Sequence, residues 1–203
     1  MIKVKLTKNE LKKQKDALKM YKRYLPTLIL KKQQLQAEIR TTELRIKELV
    51  DEKTRLDESF KSWIAVFGET GIFTPGVVRI TSVKTARGNI AGVAIPIFEG
   101  AEFTVNPYDL FSAPLWLDAA VERMQKVLLL DIEARIVEEQ SKRLNHELRI
   151  TTQRVNLFEK IKIPETGASI RKIQVYLGDQ QTSAVVRGKI AKRALAKAVG
   201  GLQ

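Results

Sequence analysis

Apolar residues recur at strictly alternating steps of three and four along the first part of the chain. The positions are Leu11, Gln14, Leu18, Tyr21, Leu25, Leu28, Lys32, Leu35, Ile39, Thr42, Ile46, Leu49, Lys53, Leu56, Phe60 and Trp63. A second track follows the same rule through Val127, Leu130, Ala134, Val137, Ser141, Leu144, Leu148, Thr151, Val155 and Phe158. A 3.5-residue repeat held over so many turns is satisfied by helices that wind about a partner with a left-handed supercoil. Two such tracks in one chain can partner each other. The fold class implied is mainly α, a long antiparallel two-helix coiled coil with a small β-hairpin inserted at mid-chain. Its seam would be built by Leu28, Leu35, Ile39, Ile46, Leu49, Leu56 and Phe60 against Val127, Leu130, Val137, Leu144, Leu148, Val155 and Phe158.

Local signals divide the chain into 1–67, an N-terminal helix, 68–113, a hairpin and turn region, and 114–203, a C-terminal helix. Thr7 with Glu10 three residues on is a capping box, and Gly68 and Gly71 terminate the helix near residue 67. The helix would be roughly 90 Å long. Pro26 removes one backbone donor inside it, but the repeat stays in phase on both sides, which reads as a kink rather than an end. Residues 77–83 and 90–97 are rich in β-branched side chains, and Arg87-Gly88-Asn89 between them supplies turn residues, so a hairpin is expected there, with Arg79, Arg87, Gly88 and Asn89 as its candidate residues. Pro96 requires a place where no ladder bond is needed, on an exposed edge. Asn106-Pro107 and Ala113-Pro114 mark a turn. The second helix should begin at Pro114 or Leu115, bend at Pro164, and continue through Ile170, Ile173, Leu177, Ala184, Ile190 and Ala194 to about Ala198. Since this arm is the longer, a C-terminal overhang of roughly 30 Å is expected.

Composition agrees with long solvated helices: of 203 residues, 29% are charged and only 6% aromatic. There is no cysteine, hence no disulfide framework or cysteine-ligated metal. The lysine-rich start has no apolar core of a secretory signal, and no apolar run approaches the roughly 18 residues that span a bilayer. A water-soluble chain is the expectation. The net charge of +13 is uneven. Residues 1–32 hold eleven Lys and Arg against Glu10 and Asp16, and residues 166–203 hold seven bases against Asp179. An antiparallel pairing would gather Lys12, Lys13, Lys15, Lys19, Arg187, Lys189, Lys192 and Arg193 at one basic tip.

Bond chemistry finds little to work with. Gly68-Glu69-Thr70-Gly71 lacks the Gly-Lys-Ser/Thr ending of a phosphate-binding loop. His146 is the only histidine, so neither a zinc motif nor a Ser-His-Asp triad can be assembled. The pairs Asp51-Glu52, Asp57-Glu58 and Glu138-Glu139 sit among lysines and arginines, which is the pattern of a solvated ion-pair face. No catalytic residue, metal site or cofactor is expected.

The segment Glu147-Leu148-Arg149-Ile150-Thr151-Thr152-Gln153-Arg154-Val155-Asn156-Leu157-Phe158-Glu159, followed by Ile163-Pro164 and by Ile170 and Ile173, resembles the D subunits of V-type and A-type rotary ATPases. The arginine-valine-asparagine core, the acid after it and the isoleucine-proline break carry the likeness. Lys31 and Lys32 ahead of Leu35, and the central hairpin, agree with it. The chain departs after Ile173, where Leu177-Gly178-Asp179-Gln180-Gln181 replaces the acidic stretch usual in that family. The resemblance implies a non-catalytic central-stalk rotor whose paired termini enter the alternating A/B catalytic hexamer. An F subunit would bind along the coiled coil, and a C (or d) subunit would link the chain to the membrane rotor ring. ATP hydrolysis or synthesis would thereby be coupled to H⁺ or Na⁺ movement, in the soluble sector peripheral to the membrane. The family's hairpin, thought to influence ATPase activity, maps to about 77–97.

Two other readings stay open on the residues alone. A basic coiled coil can bind nucleic acid through phosphate contacts, although the termini interleave no aromatics among their bases. A structural adaptor would pair its heptads with another chain instead of with itself.

Overall fold

The computed structural model describes residues 5–61, 77–107 and 116–200, and the side chains among them except those of 60 and 197–200. In chain order the elements are α1 (Lys8–Lys61), β1 (Val78–Ile90), β2 (Val93–Val105), α2 (Leu117–Asn156), a π-helical turn (Leu157–Lys162) and α3 (Ile163–Gly200). The fold is mainly α, with two long helical stretches and one two-stranded antiparallel hairpin. The chain packs as two units. Residues 31–150 form one, here called the hairpin unit; residues 1–30 with 151–203 form the other, the terminal unit.

The start of α1 follows from its cap. The Glu10 amide donates to Thr7 Oγ1 at 3.2 Å, which uses a donor that a helix start otherwise leaves unmet, and the Leu11 amide donates to the Thr7 carbonyl at 3.0 Å as the first regular bond of the helix. Leu, Lys, Gln and Glu then dominate, and the helix runs through Pro26 without ending. Its expected terminators, Gly68 and Gly71, lie outside the described residues, as do Trp63 and the expected second-helix start at Pro114 or Leu115. The described part of α2 begins at Leu117, after a turn at Trp116 whose carbonyl accepts the Ala120 amide.

The hairpin differs from the sequence expectation in length and in the place of its turn. Each strand has 13 residues, and pairing continues to Ile90 opposite Val93. The connection is therefore Ala91-Gly92, with φ of +50° and +78°. Positive φ at both central residues is the two-residue turn that matches the twist of paired strands, and Gly92 suits its second position. Arg87, Gly88 and Asn89 lie within β1, opposite Pro96, Ile95 and Ala94. Gly88 serves a different need: a Cβ there would meet Ile97 Cδ1 at 2.5 Å, so the glycine makes room for a cross-strand neighbour.

In the hairpin unit the core has two centres. Leu35, Ile39, Ile95 and Leu144 are buried together, with Ile90, Ala91, Val93 and Leu148 packed around them. The turn end of the hairpin is thus clamped on the helix pair, which supplies the support that an isolated hairpin lacks in water. Leu49, Leu130 and Val137 form the second centre, with Ile46, Leu56 and Ala134 against it. Two α2 side chains also bond backbone carbonyls of β2: Gln140 Nε2 donates to Pro96 at 2.5 Å and Arg143 to Ala94 at 3.4 Å.

At Pro164, where the sequence predicts a bend, the proline is preceded by a π-helical turn. Helical structure is continuous from Leu117 to Gly200 because a π-helical turn precedes the proline. The Ile163 amide donates to the Phe158 carbonyl, five residues back. A widened turn shifts the carbonyl that a proline ring would strike in a regular α-helix. Pro164 follows that turn directly, so the amide proton it lacks falls where the i→i−4 ladder is already interrupted.

Candidate functional site

The helix seam and the charges beside it are the chain's most developed feature. In the hairpin unit Leu35, Leu49 and Leu144 are at most 1% exposed, and Ile39, Leu130 and Val137 are also buried. Ile46, Leu56, Val127 and Leu148 are half-buried. Phe60 belongs to α1, but its side chain lies outside the described ones. Fully burying such a side chain contributes about 1.5–3 kcal/mol relative to leaving it exposed.

Three ion pairs bridge α1 and α2 within this unit. Lys31 Nζ lies 2.7 Å from Glu147 Oε1, Arg45 Nη2 is 2.7 Å from Glu133 Oε1, and Lys53 Nζ is 2.7 Å from Asp131 Oδ1. As the α1 number rises its partner's falls, the signature of antiparallel helices. Each acid and base stands at or beside a heptad position, where it stays partly exposed while it fixes which turn meets which. Lys53, a polar seam position, therefore has a specific carboxylate. Thr42, another, is buried but donates to the Glu38 carbonyl of its own helix at 2.8 Å. These bridges were not among the sequence candidates. The available signal was opposite charge on residues flanking the two tracks, which needs the pairing register before it can be read.

The bridging hydrogen bonds shift the groups involved. Asp131 is held below the usual carboxylate range, first by its bond from Lys53 and then by the nearby positive charges of Lys53 and Arg135. Arg45 is raised by its bonds to Glu133 and Glu48. On the hairpin, Glu102 is lowered by hydrogen bonds from Lys84 and Ser82. The shifts of Asp131 and Arg45 both favour the charged forms that make the bridges.

In the terminal unit Thr151, Val155, Thr166, Ile170 and Ile173 are buried, while Leu28 and Phe158 are half-buried. The Phe158 ring lies 5.2 Å from that of Tyr21, tilted by 39°, a favourable aromatic geometry. Beside them Lys13, Gln14, Ala17 and Tyr21 of α1 line one groove with Lys162, Glu165, Thr166 and Ser169. From Gly178 to Ala196 every residue is exposed.

The basic candidates all belong to this unit, and Lys12, Lys13, Lys15, Lys19, Arg187, Lys189, Lys192 and Arg193 are all exposed. They form two bands instead of one tip. The α1 band sits alongside residues 162–169, whereas Arg187 is 18 residues past Ser169, about 27 Å along a helix. Of the hairpin candidates, Arg79, Arg87 and Asn89 are exposed along β1, and Gly88 is the contact-relieving residue described above.

Among the described residues no group of three or more His, Cys, Asp or Glu could hold a metal ion, and no helix is long and apolar enough to cross a membrane. His146 is exposed on α2 and lines a shallow pocket with Val93, Lys142, Arg143 and Glu147. What this arrangement can do is mechanical: hold two helices in one register, brace a hairpin, and present a basic, solvent-facing helix.

The family of ATP synthase D subunits matches residues 10–193. The V-type ATP synthase D subunit of Borreliella burgdorferi is 53% identical over 199 residues, covering 97% of each chain. That of Chlamydia trachomatis serovar L2 is 35% identical over 196 residues, covering 94% of this chain and 95% of its own. That of Chlamydia muridarum is 33% identical over 193 residues, covering 94% and 95% respectively. With near full-length agreement in both directions, this chain belongs to the family of ATP synthase D subunits.

Proposed function

We propose that this chain is the central-stalk rotor of a V-type ATPase and transmits torque between ATP turnover in an A/B catalytic hexamer and H⁺ or Na⁺ translocation in the membrane. It has no catalytic role of its own. The observation that carries the reading is the ladder of three short α1–α2 ion pairs flanking a buried seam. A shaft under torsion must resist sliding of one helix along the other, and register-specific pairs oppose sliding where a uniform apolar stripe would permit it. The exposed basic helix beyond Leu177 suits a surrounding collar with acidic or neutral lining. In this reading residues 1–67 and 114–203 form the shaft, the seam residues bear load, the two basic bands face the hexamer, and the hairpin modulates ATPase activity. An F subunit lies along the helices, and a C (or d) subunit joins the chain to the ring. The site of action is the cytoplasmic, membrane-peripheral sector.

The test is reconstitution of the ATPase with a chain ending at Ile173. Assembly with the A and B subunits, or coupled ion pumping, should be lost, while the isolated chain keeps its helical signal and its hairpin. Full coupling by the truncated chain would sink the proposal. The +14 charge of the terminal unit also favours phosphate-backbone binding. Tight, steeply salt-dependent binding to DNA or RNA at physiological ionic strength would favour that second reading.

A further inference from the structure

The apolar stripe of the C-terminal helix changes phase once. Thr151, Val155 and Phe158 follow the heptad steps of four and three, and Ile163, Thr166, Ile170, Ile173 and Leu177 resume them with steps of three, four, three and four. Between Phe158 and Ile163 the step is five, one residue more than the repeat allows. A regular α-helix through this point would put Lys162, Glu165, Ser169 and Lys172 on the seam in place of Ile163, Thr166, Ile170 and Ile173. The structure places the π turn across this gap, at Leu157–Lys162, and the Ile163 amide donates to the Phe158 carbonyl, joining the last residue of one stripe to the first of the next. Thr166, Ile170 and Ile173 are buried as a result, Ile173 completely, and Thr166 Oγ1 donates to the Lys162 carbonyl.

We propose that the π turn is a register device: it absorbs the one extra residue so that the downstream stripe meets α1 in phase. Pro164 is the positioning residue that pins the turn. Elsewhere in a long helix a π turn can migrate, because each amide can change acceptor by one carbonyl. Immediately before a proline it cannot pass, since the ring has no amide to exchange and disfavours the regular geometry behind it. By fixing the phase of Ile163–Ile173, the device fixes the face that residues 174–200 present to their surroundings.

This makes an asymmetric prediction for single-residue changes. In an unbroken α-helix a deletion and an insertion each turn the distal face by about 100°, so both should be destabilising. Here, deletion of the exposed Lys160, made together with Pro164→Ala so that no proline ring is forced into the regular helix, yields a continuous heptad, whereas insertion of one alanine after Lys160 demands a second defect. In thermal unfolding of the full chain, the deletion should leave the midpoint unchanged or raise it. The insertion should lower it by roughly 10 °C through loss of the buried stripe. Equal losses from both changes would overturn the proposal. Cross-linking reads the phase even if one variant is only partly folded. The chain has no cysteine, so Ala17→Cys with Thr166→Cys should form a disulfide in the native and deletion backgrounds and fail to form in the insertion background. A disulfide in all three would also overturn it.

A functional arm rests on the rotor reading and separates from it. Deletion of Gln174, just past the last buried seam residue, should spare stability yet rotate the terminal segment and abolish coupled pumping in the reconstituted ATPase. Deletion of Lys160 with Pro164→Ala should retain pumping. Loss with both deletions would overturn the phase role. Pumping with both would overturn the claim that the presented face matters, while the unfolding asymmetry would still support the register device.

Discussion

The hairpin unit carries seventeen Lys and Arg against eighteen Asp and Glu; the terminal unit carries nineteen against five. Among the described residues, eight ion pairs lie within the hairpin unit, and one, Lys162–Glu165 at 3.9 Å, within the terminal unit. Burial follows the same division. The hairpin unit gathers buried side chains around the end of the hairpin, whereas α3 exposes Val185, Ile190 and Leu195 at 58%, 62% and 67%. The same kind of helix is thus used in two ways. In one unit acids and bases are nearly equal in number, several are paired, and the apolar seam is covered. In the other, apolar and basic residues alternate around a helix that this chain alone leaves bare. A helix with apolar residues on every side is ordinarily one that something else surrounds.

The sharpest way to break that comparison is to truncate one leucine on each side of it. Leu144→Ala removes a side chain with no exposed surface from the cluster of Leu35, Ile39 and Ile95, and should cost about 3 kcal/mol. Leu195→Ala should change the stability of the free chain by less than about 0.5 kcal/mol. Urea unfolding of the two variants checks this. If Leu195→Ala costs as much as Leu144→Ala, the terminal helix is packed in the free chain and the contrast fails.

How much of this is readable from the sequence depends on the range of the interactions. The seam is legible, because a heptad is written in one chain direction and needs no partner to be recognised: Leu35, Leu49 and Leu144 can be named from spacing alone. The ion pairs are not. Lys31 and Glu147 are 116 residues apart, and only the antiparallel register brings them together. The hairpin's existence follows from its β-branched runs. Its turn is misplaced on sequence grounds because two glycine-containing segments compete, Arg87-Gly88-Asn89 and Ala91-Gly92. Backbone sign cannot be read from composition, and Gly88 answers a side-chain clash instead. The expected bend at Pro164 misses the five-residue step from Phe158 to Ile163, which is visible in the spacing but falls between the two stretches that carry regular heptads.

A smaller effect should appear at the turn. Gly92 has φ of +78°, where a β-branched side chain is strained. Gly92→Val should therefore cost about 1–2 kcal/mol, borne by the hairpin unit, because Ala91 and Val93 beside it pack on the first core centre. Hydrogen exchange resolved by segment checks the location. Protection should fall along β1 and β2 and around Leu35 and Leu144, but not around Ile170 and Ile173. Equal loosening of both sets would mean that the units do not open separately.

The smallest effects are electrostatic, and they should differ in sign between the units. Lys53→Met removes the α1 partner of Asp131 and leaves Arg135 beside it, breaking a half-exposed pair worth about 0.5 kcal/mol. Because Asp131 is held below the ordinary carboxylate range, the folded state binds its proton less readily than the unfolded chain does. Its contribution is therefore complete above the unfolded value of about 3.9 and is lost as the pH falls from there through the lower folded value. Lys53→Met should shrink that acid loss while leaving the pH dependence between 5 and 8 unaltered, as measured by unfolding midpoints across the acid range. Salt completes the contrast. Raising ionic strength screens the attraction in the paired hairpin unit but screens repulsion in the terminal unit, whose net charge is +14. Exchange protection around Ile170 and Ile173 should accordingly rise with salt, while that around Lys53 and Asp131 stays level or falls slightly. A parallel response in the two units would show that the unmatched cations of the terminal helix do not destabilise it.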